Sequence, residues 1–598
     1  MISKYSQSRT KKNNSNSWHQ RDKIAILVIY AGLGIILGKL FYWQVIQGSW
    51  LKTAANNQYH RTLIQQGQRG QIFTSDRHLL VGNLTQYRLV AYPQLLTASP
   101  TKLSQLLTPI IINDYEPYLE ATLSAQKEEL ATDLELKIKE RLDKKDAQWS
   151  SLLQNISEET KNQIESLDLQ GLDFEKSLTR FYPEASMAAH LTGFVAKDEL
   201  GQDVGYFGIE GALNKELAGK KRKITLTTDA LGLSLQGQKG PASNSNQGRD
   251  VVLTIQRDIQ SLVETELKTG IAKYGAKAGE VIVLQPQTGS IIALAAEPKY
   301  DQKKYYQYEP ALYKNPALIN VFEPGSIMKT LTVAIGIDTN RITPETQCPR
   351  CDGPVTIGKY TIKTWNNEYQ PRISMKDALA KSDNTAMIYI AEEVGADIFE
   401  EYLHNFDIGQ ELGVDLNGDN DTPFPQKWGP VELATRSFGQ GISLTSLQIA
   451  KAVSAIANHG QLMKTRIVKT VIEPNGAEIS VEPKVIRQVI SDKTAAQVTQ
   501  MMVYAAQSGE AQWVYSKDHT VAAKTGTSQI PADDGGYQED ATIATFIGFS
   551  PPENPQFLML VKLTEPQSSP WAAETAAPLW YKIAEKLFLS LNIPPDHQ

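Results

Sequence analysis

Val321-Phe-Glu-Pro-Gly-Ser-Ile-Met-Lys-Thr330 is the stretch from which the rest of the chain is read. Pro324 and Gly325 break regular structure, and an apolar, helix-compatible run from Ile327 to Ile337 follows. Ser326 is therefore predicted at or near a helix N-terminus, with Lys329 one turn later on the same face. A serine hydroxyl is a poor nucleophile until a base takes its proton. A lysine three residues on can do so if burial or a neighbouring cation keeps its amine neutral. The helix N-terminus also offers N–H groups to a developing oxyanion. Alone the pattern is weak, because Ser8/Lys11 and Ser99/Lys102 share it. Ser8 lies in a polar tail and Ser99 precedes Pro100, so both read as ordinary cap or surface residues.

Two downstream motifs change the odds. Ser382-Asp383-Asn384 is predicted on a loop between helical patterns at 374–381 and 385–394. It offers a hydroxyl to relay a proton and a carboxamide to bind a substrate amide. Lys524-Thr525-Gly526-Thr527 lies in a strand-like stretch, 520–528. Gly526 lets a substrate backbone approach closely, Lys524 supplies positive charge, and the hydroxyls of Thr525 and Thr527 suit a carboxylate. A second Lys-Thr-Gly at 268–270 ends a helical pattern, with Gly270 read as its C-cap. Ser590 and Asn592 form another chance match near the C-terminus. Only Ser326/Lys329, Ser382/Asn384 and Lys524–Gly526 fall in one order, on helix, loop and strand.

That ordered set resembles the motifs of penicillin-binding proteins and serine β-lactamases. The chain is similar over nearly its whole length to a class B penicillin-binding protein, a monofunctional peptidoglycan transpeptidase. Arg69-Gly-Gln-Ile72 with Asp76-Arg77, Arg180-Phe-Tyr-Pro183, His190 with Gly193-Phe194, and Gly208-Ile-Glu-Gly211 resemble that family's N-terminal module. Phe438-Gly-Gln-Gly-Ile-Ser-Leu-Thr445 with Gln448, then Ala457-Asn-His-Gly460, resembles the septal division branch more than the elongation branch.

The resemblance implies an α+β multidomain fold. It has one N-terminal transmembrane helix, an extended α+β pedestal of dimerisation type, and a C-terminal penicillin-binding transpeptidase domain. That domain is an antiparallel sheet covered by helices, plus a helical lobe. The implied chemistry is two-step acyl transfer. Ser326 attacks the D-Ala–D-Ala carbonyl of a stem peptide with Lys329 as base, and Ser382 with Lys524 protonates the leaving amine. The N–H groups of Ser326 and Thr527 form the oxyanion hole, and an amine of a neighbouring stem peptide takes the acyl group. Asn384 belongs to the catalytic set with Ser326, Lys329, Ser382 and Lys524, while Thr525, Gly526 and Thr527 bind substrate, and Lys329 and Lys524 lie near each other. β-Lactams would acylate Ser326 as substrate mimics. The implied partners are stem peptides, the cytoplasmic membrane, a membrane glycosyltransferase and other wall-synthesis proteins, with no cofactor and no metal. Two departures are small: Asp383 replaces another small polar residue, and Ala523 precedes Lys524 where glycine is common.

Two rivals stand beside this reading. One is hydrolysis, by a D,D-carboxypeptidase or a β-lactamase-type enzyme, for which no water-activating glutamate is assigned. The other is a non-catalytic membrane scaffold or sensor, against which the three intact motifs count.

The remaining sequence fits a membrane-anchored ectoenzyme. At 598 residues the chain holds two or more domains, and its net charge of -6 leaves no nucleic-acid footprint. Residues 1–23 form a basic tail predicted to be cytoplasmic, with six Lys and Arg against Asp22. Residues 24–46 form the anchor. Its charge-free run, Ile24 to Gly38, is short for a span before Lys39 interrupts, and Tyr42 and Trp43 would sit at the interface. No small-x-small site follows, which favours an uncleaved anchor over a signal peptide. Everything after it is expected outside the cytoplasmic membrane. Residues 47–235 are the pedestal, with a strand at Tyr87–Tyr92 and a polar helical region at Tyr115–Leu167. Residues 236–249 are a Gly-, Ser- and Asn-rich linker, 250–591 the catalytic domain, and 592–598 a tail. Cys348 and Cys351, the only cysteines, read as a structural disulfide or idle thiols.

Overall fold

The computed structural model describes residues 16–199, 202–227, 246–418, 422–532 and 535–596. Residues 1–15 of the basic tail, most of the linker (236–245), and Asp533–Asp534 of the turn expected after the Lys-Thr-Gly strand lie outside the described residues.

The chain divides into two units. The first comprises residues 1–67 and 220–246. Its helix Asn16–Phe41 continues without a break through the wider turn Tyr42–Ile46. The apolar segment thus resumes beyond Lys39, as the bounds 24–46 predict. Gln20–Ile46 is 27 residues long with mean hydropathy 2.3, about 40 Å at a helical rise, enough to cross a bilayer. Ile24, Leu27, Ile35 and Leu37 are all exposed, as side chains meant for lipid would be. Beyond the helix Gly48–Tyr59, strand His60–Gln66 pairs antiparallel with Lys221–Thr227.

The second unit holds residues 68–219 and 247–598. In its N-terminal part, the 13-residue strand Leu79–Ala91 pairs antiparallel with Ser150–Ile156 and Leu172–Phe181. Helices Pro100–Ile111 and Ser124–Leu142 cover it through Leu103, Leu107, Leu134 and Ile138. The expected polar helical region is thus interrupted. Within 115–167 the structure forms strand Ser150–Ile156 as well as helix Glu158–Glu165. Buried Ser150, Leu152 and Ile156 give that strand its inner face. Ser99 caps the Pro100 helix by accepting the Lys102 N–H at 3.4 Å, so Ser99/Lys102 is a cap.

Val251–Ile255 reads in sequence as a strand of the catalytic domain, expected in its sheet; the strand formed is Asp250–Leu253. It lies instead between Ile72–Phe73, which it pairs in parallel, and Val468–Ile472, which it pairs antiparallel. The Gln71 N–H bonding to Asp250 Oδ1 fixes that register.

The catalytic region is built on five antiparallel strands in the order Ser290–Glu297, Ala278–Gln285, Phe557–Thr564, Tyr537–Ser550, Ala522–Pro531. Residues 279–285, 290–296, 520–528, 543–549 and 557–563 read as strands in sequence, so the sheet is expected to draw on both ends of the domain, as it does. Helices Arg257–Tyr274 and Ala576–Ser590 pack one face through Val263, Leu267, Trp580 and Leu587. The other face meets a helical lobe through Ile282, Leu558 and Leu560, against residues such as Met328, Leu331 and Leu447. Burial on both faces explains why these strands read as unbroken apolar runs. The Arg257 helix outlasts the expected stop at Lys268 and ends at the left-handed Gly275. Gly270 is interior to it, where Leu579 leaves no room for a Cβ. Cys348 and Cys351 form a buried disulfide with Cα atoms 5.6 Å apart.

Candidate functional site

Three elements converge at one edge of the sheet. Ser326 lies in the tight turn Gly325–Ile327 that opens helix Met328–Asp338. Gly325 adopts φ +55, and a Cβ there would meet the Thr527 carbonyl oxygen at 2.9 Å. Only glycine lets the turn sit this close to the Lys-Thr-Gly strand. The Gly325 N–H bonds to the Gly439 carbonyl at 3.2 Å, which seats the turn against the Phe438–Ile442 loop. Lys329 follows inside the helix and is buried.

The second motif lies in the expected connection between two helices, a short turn. Helix Met375–Ala380 ends, Ser382 turns the chain with φ +55, and Asn384 already begins helix Asn384–Val394. Asp383 caps that helix, accepting from Ala386 N–H at 2.9 Å and from Thr385 Oγ1 at 2.6 Å. This accounts for an aspartate there. A left-handed, non-glycine Ser382 is strained, and such strain collects where a side chain must be aimed.

Ser382 Oγ is the hub. It donates to Ser326 Oγ at 2.8 Å and accepts from Lys329 Nζ at 3.2 Å and Lys524 Nζ at 3.1 Å. Lys329 also donates to the Ser382 carbonyl at 2.6 Å. Lys524 donates to both Thr525 oxygens, at 3.2 and 3.1 Å. Burial pushes the Lys329 amine down to about 7, and the neighbouring Lys524 charge adds to this. Burial lowers Lys524 as well, while Glu510 opposes the shift. Lys329, Ser382 and Lys524 are buried, whereas Ser326, Asn384 and Thr527 are half-exposed. The cluster therefore meets solvent through Ser326. A hydroxyl backed by a near-neutral amine and a second cation is equipped for acyl transfer.

The predicted binding residues frame this cluster. Asn384 Nδ2 donates to the Lys363 carbonyl at 2.9 Å. Thr525 Oγ1 donates to Glu510 Oε2 at 3.0 Å, and Thr527 Oγ1 accepts from the Ala572 N–H at 3.1 Å. A Cβ on Gly526 would meet Thr545 Oγ1 at 2.4 Å and Ile327 Cγ1 at 2.9 Å. That glycine serves the approach of the Ser326 turn as much as any ligand. Ala523 pairs with Gly548 on the next strand, which makes room for its methyl.

Two carboxylates outside the three motifs also belong to the site. Glu323, three residues before Ser326, is buried and accepts from Gly441 N–H at 2.9 Å and Tyr537 Oη at 3.0 Å. It joins two walls of the site. Glu510 follows helix Asp492–Ser508 and touches Thr525. No motif marks it. Its role arises only where the chain leaves the helix beside the strand. Among the described residues no group of three or more His, Cys, Asp or Glu is placed to hold a metal ion.

The chain is similar to known proteins over nearly its whole length. The penicillin-binding protein transpeptidase domain model matches residues 279–585, and the penicillin-binding protein dimerisation domain model matches residues 64–253. Stage V sporulation protein D of Bacillus subtilis is 26% identical over 568 residues, covering 94% of this chain and 84% of that protein. Peptidoglycan D,D-transpeptidase FtsI of Buchnera aphidicola is 26% identical over 599 residues, covering 98% and 99%. The crystal structure of penicillin-binding protein 2X from Streptococcus thermophilus superposes with TM-score 0.74 at 21% identity, covering 88% of this chain and 80% of that one. At that identity the likeness speaks for the fold.

Proposed function

The chain belongs to the penicillin-binding protein transpeptidases, with a dimerisation-type module ahead of the transpeptidase domain, and we propose that Ser326 is its acylated nucleophile. It is a class B enzyme, a serine-type peptidoglycan D,D-transpeptidase of cell-wall synthesis. The observation that carries the assignment of roles is the Ser326–Ser382–Lys329/Lys524 cluster, drawn from three separate elements.

In this reading, neutral Lys329 draws the Ser326 proton through Ser382. Ser326 Oγ bonds to the penultimate D-Ala carbonyl carbon of a stem peptide. The backbone N–H groups of Ser326 and Thr527 receive the oxyanion. The C–N bond to the terminal D-Ala breaks, and Ser382, backed by Lys524, returns a proton to the leaving amine. An amine of a second stem peptide then attacks the ester, forming the cross-link and freeing Ser326. Asn384, Thr525, Gly526 and Thr527 line the path of the peptide. β-Lactams enter as mimics of D-Ala–D-Ala.

The finer assignments follow the same logic. The apolar helix anchors the protein in the cytoplasmic membrane, and the basic residues before it keep the N-terminus inside, which places the catalytic region outside. The Cys348–Cys351 disulfide suits that compartment. A septal role is favoured by the Phe438–Gln448 segment and fits relatives named FtsI and stage V sporulation protein D. A membrane glycosyltransferase and other wall-synthesis proteins are the partners such a role requires.

The test is D-Ala release from a stem pentapeptide by the full chain in detergent, with and without an acceptor amine. Cross-linked product that rises with acceptor supports the transpeptidase. Release of D-Ala to water alone would favour the carboxypeptidase.

A further inference from the structure

We propose that Glu510 is a positioning residue of the reaction: through Thr525 it holds Lys524 in its charged form, so that of the two adjacent lysines it is Lys329 that gives up its proton. This rests on the reading of Ser326 as nucleophile and Lys329 as base.

The two amines pose a problem of symmetry. Both are buried, and both donate to the same Ser382 Oγ. Like charges sharing one acceptor in a dry site do not both persist, so one amine becomes neutral. The chemistry needs that one to be Lys329. What distinguishes them is the surroundings. Lys524 Nζ lies 3.1 Å from Thr525 Oγ1, which in turn donates to Glu510 Oε2 at 3.0 Å. A Thr525 hydroxyl that gives its proton to a carboxylate has its lone pairs free for the ammonium. The carboxylate thus acts on Lys524 by charge and by polarising the hydroxyl between them.

The setting strengthens the effect. A small cavity walled by Ala505, Ala506, Ala523 and Phe546 borders Glu510, Lys524 and Thr525. Charges beside apolar walls interact more strongly than in water. Glu510 and Asp383 are the acidic groups that act on the lysine pair, and the lysines act on each other. Asp383 is committed to capping the Asn384 helix. The Glu510 charge raises the proton affinity of both lysines, and what favours Lys524 is the Thr525 hydroxyl that links it to the carboxylate.

The experiment is the single-turnover acylation rate of the detergent-solubilised full chain with a fluorescent penicillin, from about pH 6 to about pH 10. Wild type, Glu510→Gln and Glu510→Asp are compared. Wild type should give a bell, with an acid limb from Lys329 and an alkaline limb from loss of the Lys524 charge. Glu510→Gln keeps the acceptor for Thr525 but removes the charge. Its alkaline limb should fall by roughly one pH unit, while the acid limb moves less and in the same direction. Glu510→Asp keeps the charge and should keep the wild-type limb. Superimposable profiles, or a Glu510→Gln loss equal at every pH, would overturn the proposal, because a purely structural role scales the curve without moving it. An altered lifetime of the adduct with an unmoved profile would overturn it too, by making Glu510 a hydrolytic group. No adduct on wild type at any pH would refute the Ser326 reading and this inference with it.

Discussion

Ser382 Oγ lies 2.8 Å from Ser326 Oγ, and the two residues stand 56 positions apart in the chain. One hydroxyl therefore bridges the candidate nucleophile and both lysine amines. Removing it disconnects Ser326 from its base without touching either partner. Ser382→Ala is expected to slow acylation by roughly a hundredfold to a thousandfold. The fold should survive, since Lys329 keeps the Ser382 backbone carbonyl at 2.6 Å. Stopped-flow acylation beside a melting curve separates the two effects.

Lys329 should write its titration into the rate. Its amine sits at about 7, so the neutral, proton-accepting form grows as pH rises through that value. Acylation should climb about tenfold per pH unit below pH 7 and flatten above it, until loss of the Lys524 charge turns the profile down again at alkaline pH. The pH profile at saturating β-lactam checks this.

The same shift carries a stability consequence. The folded value, about 7, lies below the ordinary 10.5. Below about 7 both states are protonated and the cost of burial is present in full. Between the two values the unfolded chain holds more protons, so stability rises with pH, and Lys524 adds to the slope. Lys329→Met should abolish acylation, flatten part of that rise, and gain on the order of 1–3 kcal/mol near pH 6. Denaturant titrations at several pH values give the answer.

Gly526→Ala should harm function more than folding. The added methyl meets Thr545 Oγ1 at 2.4 Å, Ile327 Cγ1 at 2.9 Å and the Pro324 carbonyl at 3.1 Å. Overpacking of this kind costs ~1–3 kcal/mol. Pro324 and Ile327 flank Ser326, so the strain falls on the nucleophile turn. Acylation should drop well beyond the change in melting temperature.

Glu323→Ala tests the wall contact. It leaves the Gly441 N–H and the Tyr537 hydroxyl without their shared acceptor. A loss of ~1–3 kcal/mol is expected, with slower acylation because the Phe438–Ile442 loop also holds Gly325. Tyr537→Phe should reproduce only a minor part of it. Melting curves and acylation rates for both variants decide the matter.

Much of this architecture was legible because it is written in local pattern. Pro324-Gly325 before an apolar run marked the helix that carries Lys329, and unbroken apolar runs at both ends of the domain marked strands of one sheet. Partnership was harder to read. Val251–Leu253 has the composition of any inner strand, and only tertiary pairing with Ile72–Phe73 and Val468–Ile472 says which sheet it joins. Ser150–Ile156 hid inside a polar stretch because just one of its faces is buried. Lys39 interrupts the charge-free run in sequence, yet the helix carries it through unbroken, within the anchor read at 24–46. Glu510 left no trace in spacing, since its contact with Thr525 spans a helix end and a strand. The carboxylate that separates the two lysines is a product of the fold.

The most direct measurement is mass mapping of the full chain after exposure to a β-lactam, beside Ser326→Ala and Ser382→Ala. One stable adduct is expected on the peptide carrying Ser326, none on Ser326→Ala, and slow formation on Ser382→Ala. An adduct on another residue, or labelling that persists in Ser326→Ala, would contradict the Ser326 assignment.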